Sequence, residues 1–151
     1  GNDLGVVNYA VAKSGMIGLS NVVAIEGAPE GVKCNAILPG AITRMAEGLD
    51  TAAYPPQMQP EMVAPLVGYL AHESCAVTGE MFASVAGRIA RAYVVETPGA
   101  WREAWTIEEV AREIETIRTS DAPVVFPQLT GFMDHLGYSF EMASNGGRPP
   151  G

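Results

Sequence analysis

Apolar residues recur at mixed three- and four-residue spacing near the start of the chain, at Tyr9, Ala12, Met16, Leu19, Val22, Val23 and Ile25. That is the period of one helical face, and it predicts a helix over residues 8–27. Gly27, followed by Ala28-Pro29, is a stop signal, because Gly suits a C-cap and Pro cannot continue the ladder. After a turn at Pro29-Glu30-Gly31, the largely apolar run Val32-Lys33-Cys34-Asn35-Ala36-Ile37-Leu38 predicts a buried parallel strand. Pro39-Gly40 predicts a sharp turn at its end. Residues 41–59 have no regular period and carry Pro55-Pro56, which predicts a loop. Pro60-Glu61-Met62 opens a second helix running to about His72, with Pro65 bending its first turns. Thr78-Gly79-Glu80 predicts a turn and Met81 to Val85 a second strand. Helix, strand, loop, helix and strand in alternation favour an α/β fold with a parallel sheet.

The pattern changes beyond Arg88. Ile107, Val110, Ala111, Ile114 and Ile117 mark an amphipathic helix from about Thr106 to Arg118. Thr106 with Glu109 three residues on has the spacing of a capping box. Residues 119–151 show little periodicity, and the Gly- and Pro-rich end from Ser144 to Gly151 predicts a mobile tail. The chain therefore divides into a core over 1–95, a helical extension over 96–135 and a tail over 136–151. No internal repeat is visible.

Composition narrows the class. With 151 residues and 48% hydrophobic content the chain is globular and long enough to bury a core. The formal net charge of −8, with nine scattered Lys and Arg, is a poor footprint for nucleic acid. No apolar run approaches the ~20 residues of a membrane span, and no basic-then-apolar leader opens the sequence. Cys34 and Cys75 are the only cysteines and have no CxxC spacing. They read as small core residues in a reducing, cytoplasmic setting.

The candidate chemistry centres on Tyr9-x-x-x-Lys13. Four residues along a helix place the phenol and the ammonium on one face, one turn apart. A free phenol titrates near ~10, and a nearby ammonium favours its ionised form. The pair can exchange a proton with an alcohol or carbonyl oxygen. By itself this spacing is common.

Its surroundings are more specific. Asn8-Tyr9-Ala10-Val11-Ala12-Lys13-Ser14-Gly15, Ala24-Ile25-Glu26 and Val32-Lys33-Cys34-Asn35-Ala36-Ile37-Leu38-Pro39-Gly40 stand in an order and spacing that resembles the short-chain dehydrogenase/reductase family. Thr78-Gly79-Glu80-Met81-Phe82 is similar to that family's last core strand, so the resemblance covers residues 1–87. It implies the C-terminal half of a Rossmann-like doubly wound parallel sheet, followed by a helical extension. It also implies NAD or NADP as cofactor, with Tyr9 as catalytic acid/base and Lys13 on the nicotinamide ribose. Pro39, Gly40, Ala41, Ile42 and Thr43 would border the nicotinamide, with Ile42 backbone groups meeting its carboxamide. Ligands of α/β folds sit at the carboxyl ends of the strands, which agrees with this placement. Asn35 is expected to be structural, bonding backbone around the Pro-Gly turn.

A narrower resemblance appears in Thr43-Arg44-Met45, Val63-Ala64-Pro65-Leu66-Val67, His72-Glu73-Ser74-Cys75, Gly79-Glu80-Met81-Phe82 and Ala86-Gly87. These are similar to the (3R)-hydroxyacyl-CoA dehydrogenases of peroxisomal multifunctional enzymes and their bacterial relatives. Two residues depart from that subgroup: Gly40 stands where Asn is frequent, and Arg88 where Trp is. The resemblance implies oxidation of a secondary alcohol such as a (3R)-hydroxyacyl-CoA; Met45, Met58 and Met62, close to the Pro-Gly turn, are expected to cover the acyl chain, because Met packs adaptably around varied apolar shapes. Reduction of 3-oxoacyl carrier protein and oxidation of hydroxysteroids are the alternative reactions. The small residues Ala10, Ala12, Ser14, Gly15 and Gly18 let another helix approach closely, and the resemblance implies a homodimer or homotetramer through helix 8–27.

The family's TGxxxGxG phosphate loop and its catalytic Ser and Asn are absent from this sequence, and Gly1-Asn2-Asp3-Leu4-Gly5 does not replace the loop. We therefore expect these 151 residues alone to lack dehydrogenase activity and to expose a sheet edge and apolar faces. A non-enzymatic alternative is an inactive fragment or a dimerising module. Other motifs carry less. His72 and Cys75 at i and i+3 have no further ligand nearby. Gly18-Leu19-Ser20 is not a nucleophile elbow. Glu103, Glu108, Glu109, Glu113 and Glu115 read as a solvated face, and Trp101 and Trp105 as packing residues.

Overall fold

The computed structural model describes residues 5–46, 50, 52, 54–126 and 131–150. The chain forms two compact units, Gly1–Ala92 and Tyr93–Gly151. The segment Gly1 to Leu4 and parts of the Met-containing loop, at 47–49, 51 and 53, lie outside the described residues.

The first unit begins with helix α1, Val7–Gly27. Gly27 does not cap it in the left-handed region. It is the last helical residue, and a short 3-10 turn over Ala28–Glu30 follows, with the positive φ falling on Gly31. Gly27 is needed for closeness instead, since a Cβ there would lie 2.7 Å from Val32 Cβ. Strand β1 spans Ala36–Gly40, later than the pattern predicts, and runs through Pro39-Gly40 rather than ending before it. Among the described residues β1 pairs only with β2. A proline without a backbone N–H is tolerated on such an edge strand.

The second predicted helix is broken in two. A 3-10 turn covers Pro60–Met62, and α2 then spans Ala64–Ala71 with Pro65 in its first turn. Pro65 has no N–H to donate one turn back, so the helix starts at it instead of bending around it. Strand β2 spans Met81–Val85, as predicted, and pairs with β1 in parallel with Ala36 opposite Met81 and Gly40 opposite Val85. Ala86 and Gly87 both have positive φ, the signature of a tight two-residue hairpin turn. They return the chain into β3, Arg88–Ala92, antiparallel to β2. This strand lies outside the elements that the sequence pattern predicts. The unit is thus a mixed sheet in the order β1-β2-β3 with helices against it, the α/β architecture expected.

The buried apolar residues of this unit are few: Ala24, Val63, Leu66, Cys75 and Met81. Helix α1 lies against β1, yet it buries only Ser20 and Ala24. Val7, Val11, Met16 and Leu19 are each more than half exposed. A helix this apolar on nearly every side is built to be covered on more than one face.

The second unit holds strands β4, Val95–Glu96, and β5, Val124–Val125, paired antiparallel, with α3, Ile107–Arg118, between them in sequence. The capping box is present as predicted. The Thr106 hydroxyl accepts from the Glu109 N–H at 3.2 Å, and the Glu109 carboxylate accepts from the Thr106 N–H at 2.9 Å. Helix α4, Gly131–Ser144, occupies much of the stretch predicted as a tail. Gly131 and Gly137 weaken its intrinsic signal. Among the described residues no helix is long and apolar enough to cross a membrane.

Candidate active site

Helix α1 places Tyr9 and Lys13 one turn apart, with Lys13 Nζ 5.5 Å from the centroid of the Tyr9 ring. Both side chains are exposed. The turn after α1 is fixed by the Val32 N–H donating to the Gly27 carbonyl at 2.9 Å, and α1 contacts β1. The 18 residues from Tyr9 to Gly27 rise by about 27 Å at helical pitch. From Val32 to Gly40 an extended chain covers roughly 26 Å. A helix and a strand of these matching lengths, run back along each other, would bring Tyr9 and Lys13 toward the Pro39-Gly40 end of the sheet.

The amino end of β1 is anchored to the segment before β2. Asn35 Nδ2 donates to the Val77 carbonyl at 3.0 Å, and Asn35 Oδ1 accepts from the Glu80 N–H at 3.1 Å. The Cys34 N–H donates to Thr78 Oγ1 at 3.0 Å, and Lys33 Nζ donates to the Cys75 carbonyl. Asn35 is thus structural, as expected, although it ties the amino end of β1 to the turn before β2 rather than bonding around Pro39-Gly40.

Gly40 has a reason of its own. A Cβ at this position would stand 2.8 Å from Val85 Cγ2 and 2.9 Å from Cγ1. The neighbouring strand fills the space that a side chain at 40 would need, which accounts for the absence of Asn there. Val85 is a residue that sequence reasoning missed; the only hint of it was a Gly at the end of an apolar strand.

Pro39 and Ala41 line an apolar cavity of about 360 Å³ with Pro60, Val63, Ala64 and Val67. The Ile42 N–H, expected to meet a carboxamide, donates instead to the Met58 carbonyl at 2.7 Å. Thr43 Oγ1 accepts from the Met45 N–H at 3.3 Å. Met45 is almost fully exposed, and Met62 Cε lies 3.3 Å from where a Cβ on Gly87 would be. A flat ring fits the apolar walls at Pro39 and Ala41, and the exposed phenol and ammonium can meet sugar hydroxyls. The residues present thus fit a nicotinamide riboside, with the Ile42 amide engaged by its own chain.

The remaining candidates fall elsewhere. His72 Nδ1 is 2.8 Å from Ser74 Oγ at the end of α2, while Cys75 is buried with its thiol toward the Val77 carbonyl. Arg102 pairs with Glu113 at 2.8 Å and Glu109 at 3.8 Å and lies 5.4 Å from the Trp105 ring. Trp101 packs close to Gly147, where a Cβ would be 3.2 Å from its ring.

Comparison with known proteins agrees with the geometry. A family model described as Enoyl-(Acyl carrier protein) reductase matches residues 4–87. Peroxisomal multifunctional enzyme type 2 of Drosophila melanogaster is 45% identical over 98 residues, which is 65% of this chain and 16% of that protein. The structure of the full-length Drosophila enzyme superposes with a TM-score of 0.77 at 33% identity, covering 92% of this chain and 25% of that one. A short chain dehydrogenase from Mycobacterium avium gives a TM-score of 0.58 at 31% identity over 78% of this chain and 40% of its own. The chain thus spans well under half the length of each of these relatives. Its Tyr-x-x-x-Lys helix, its parallel strand pair and the match over residues 4–87 make it a member of the short-chain dehydrogenase/reductase family.

Proposed function

We propose that this chain supplies the Tyr–Lys half of an NAD(P)-dependent dehydrogenase that oxidises a secondary alcohol, with (3R)-hydroxyacyl-CoA as its substrate. The observation that carries the reading is the pairing of Tyr9 and Lys13, both exposed and one turn apart on α1, with Lys13 Nζ 5.5 Å from the Tyr9 ring. The likeness to peroxisomal multifunctional enzymes supports the acyl-CoA substrate.

In this reading Tyr9, as its phenolate, would take the hydroxyl proton of the alcohol at Oη and become the neutral phenol. The bound nicotinamide supplies the hydride acceptor. Lys13 would hold the ribose hydroxyls through Nζ and place a positive charge beside the phenol. Pro39 and Ala41 would offer an apolar wall to the nicotinamide ring, with Gly40, Ile42 and Thr43 beside them. Cys34 and Cys75 are both free thiols, which supports a reducing compartment such as the cytoplasm.

The test begins with the intact mass of the native product, followed by its oxidation of (3R)-hydroxyacyl-CoA with NAD⁺ and NADP⁺. Tyr9→Phe should lower kcat by about 10²-fold or more, the usual size of a lost acid/base group. Turnover that survives Tyr9→Phe intact would refute the assignment.

The exposed apolar surface of α1 favours a second role alongside the first. We infer that α1 packs against α1 of a second copy, because a two-fold contact lets one apolar helix face cover itself. Sedimentation equilibrium should show a dimer or tetramer, and Val11→Lys with Leu19→Lys should release monomer. A wild-type monomer at high concentration would exclude this contact.

A further inference from the structure

The second unit lies beyond the residues matched by the family model and holds a cavity that the dehydrogenase reading does not use. Its volume is about 420 Å³, within the usual range of small-molecule sites. Three aromatic rings line it: Trp101 from the loop after β4, Phe126 just past β5, and Tyr138 on α4. Phe126 meets Tyr138 edge-on with ring centroids 5.8 Å apart. Met142, one turn beyond Tyr138, is buried at its base.

The charge around this cavity has one sign. Glu96 is the single charged residue lining it, and among the described residues no Lys or Arg does. The whole unit carries nine Asp and Glu against four Arg over residues 93–151. His135 Nε2 is 3.5 Å from Glu96 Oε2, and its ring lies 5.4 Å from Phe126. A carboxylate beside aromatic faces attracts a cation twice, through its own charge and through the ring quadrupoles. It disfavours phosphate, and with it the cofactor and a CoA thioester.

From this juxtaposition, the geometry points to a binding site for a small organic cation of the quaternary or tertiary ammonium class, held between Trp101, Phe126 and Tyr138 with Glu96 as counter-ion. Trp101 is positioned for the role by its contact with Gly147, where a Cβ would meet the indole. The half-exposed Glu96 is paired with a His rather than with a permanent cation, so an incoming ammonium can take its place.

The test uses the 151-residue chain in a Trp105→Phe background, so that Trp101 alone reports. Choline is titrated against its neutral isostere 3,3-dimethylbutan-1-ol, with Trp101 fluorescence and the Met142 methyl resonance as readouts. Choline should saturate both signals, and the isostere should bind at least about tenfold more weakly, the scale of a desolvated cation–π contact. Glu96→Gln should weaken choline about fivefold or more. His135→Gln should leave choline binding equal or tighter. Equal binding of choline and the isostere would overturn the proposal, as would failure of choline to saturate. Loss of binding in His135→Gln would equally overturn it, since recognition would then rest on the imidazole.

Discussion

Gly40 and Val85 stand opposite each other at the carboxyl ends of β1 and β2, and their contact can be tested quantitatively. Replacing Gly40 by Ala would put a Cβ at 2.8 and 2.9 Å from the two Val85 methyl carbons and 3.4 Å from Val85 Cβ. Comfortable carbon–carbon contact is about 3.5–4.0 Å, so either strand or side chain must move by more than half an ångström. Val85 is β-branched and cannot rotate freely to clear both methyls. Overpacking of this kind costs about 1–3 kcal/mol. Loss of backbone freedom in the unfolded chain offsets roughly 0.4–1 kcal/mol of it. We expect Gly40→Ala to destabilise the first unit by about 1–2 kcal/mol on these terms. Val85 is 41% exposed, so Val85→Ala alone should cost only about 1 kcal/mol of lost burial. In the double variant the clash disappears, and its stability should be no lower than that of Val85→Ala. Urea unfolding of the four proteins, followed by far-UV circular dichroism, gives the coupling directly. If the two effects add to within about 0.5 kcal/mol, the close approach is not what holds Gly at position 40. The same logic predicts that Gly40→Asn is tolerated only together with a small residue at 85.

Asn35→Ala removes two hydrogen bonds between the amino end of β1 and the 77–80 turn and should cost about 2–3 kcal/mol in urea unfolding; a change within 0.5 kcal/mol, roughly the spread for surface substitutions, would show that the turn holds without it. The Ser84 hydroxyl is buried without a hydrogen-bond partner among the described residues, so Ser84→Ala should leave the urea midpoint unchanged or raise it, and a clear fall would reveal a partner. Hydrogen bonds from the Thr106 backbone N–H and then from the Thr106 side chain, with the positive charge of Arg102 nearby, hold the Glu109 carboxyl below its ordinary value of 4.5. A lowered carboxyl stabilises the fold above its unfolded value and loses that contribution as pH falls through the folded one. Amide exchange in the first turn of α3 should therefore accelerate in acid beyond its intrinsic rate, and Glu109→Gln should abolish that pH response. Thr106→Ala should cost α3 about 1 kcal/mol, visible in the same exchange measurement.

The sequence by itself determined the elements whose signals are local. Helix α1 follows from a 3.6-residue apolar period, α3 from its period and the Thr106–Glu109 box, and β2 from a short apolar run after Thr78-Gly79-Glu80. The Tyr9–Lys13 pair is legible for the same reason, since four residues on a helix fix their neighbourhood without reference to the rest of the chain. Ala86-Gly87 and the alternation of Arg88, Ile89, Ala90 and Arg91 carried a local hairpin signal for β3, but it was weaker than the change in composition around it.

Tertiary structure decided everything that depends on residues distant in sequence. That β1 continues through Pro39-Gly40 follows from β2 lying alongside, and that position 40 is Gly follows from Val85, 45 residues later. The Ile42 amide is engaged by Met58, a bond no spacing rule foretells. Helix α4 forms despite Gly131 and Gly137, where intrinsic propensity argues against it and burial of Met142 argues for it. Propensity and period act over one or two turns of chain, whereas steric exclusion, burial and hydrogen-bond satisfaction act between whichever atoms the fold brings together.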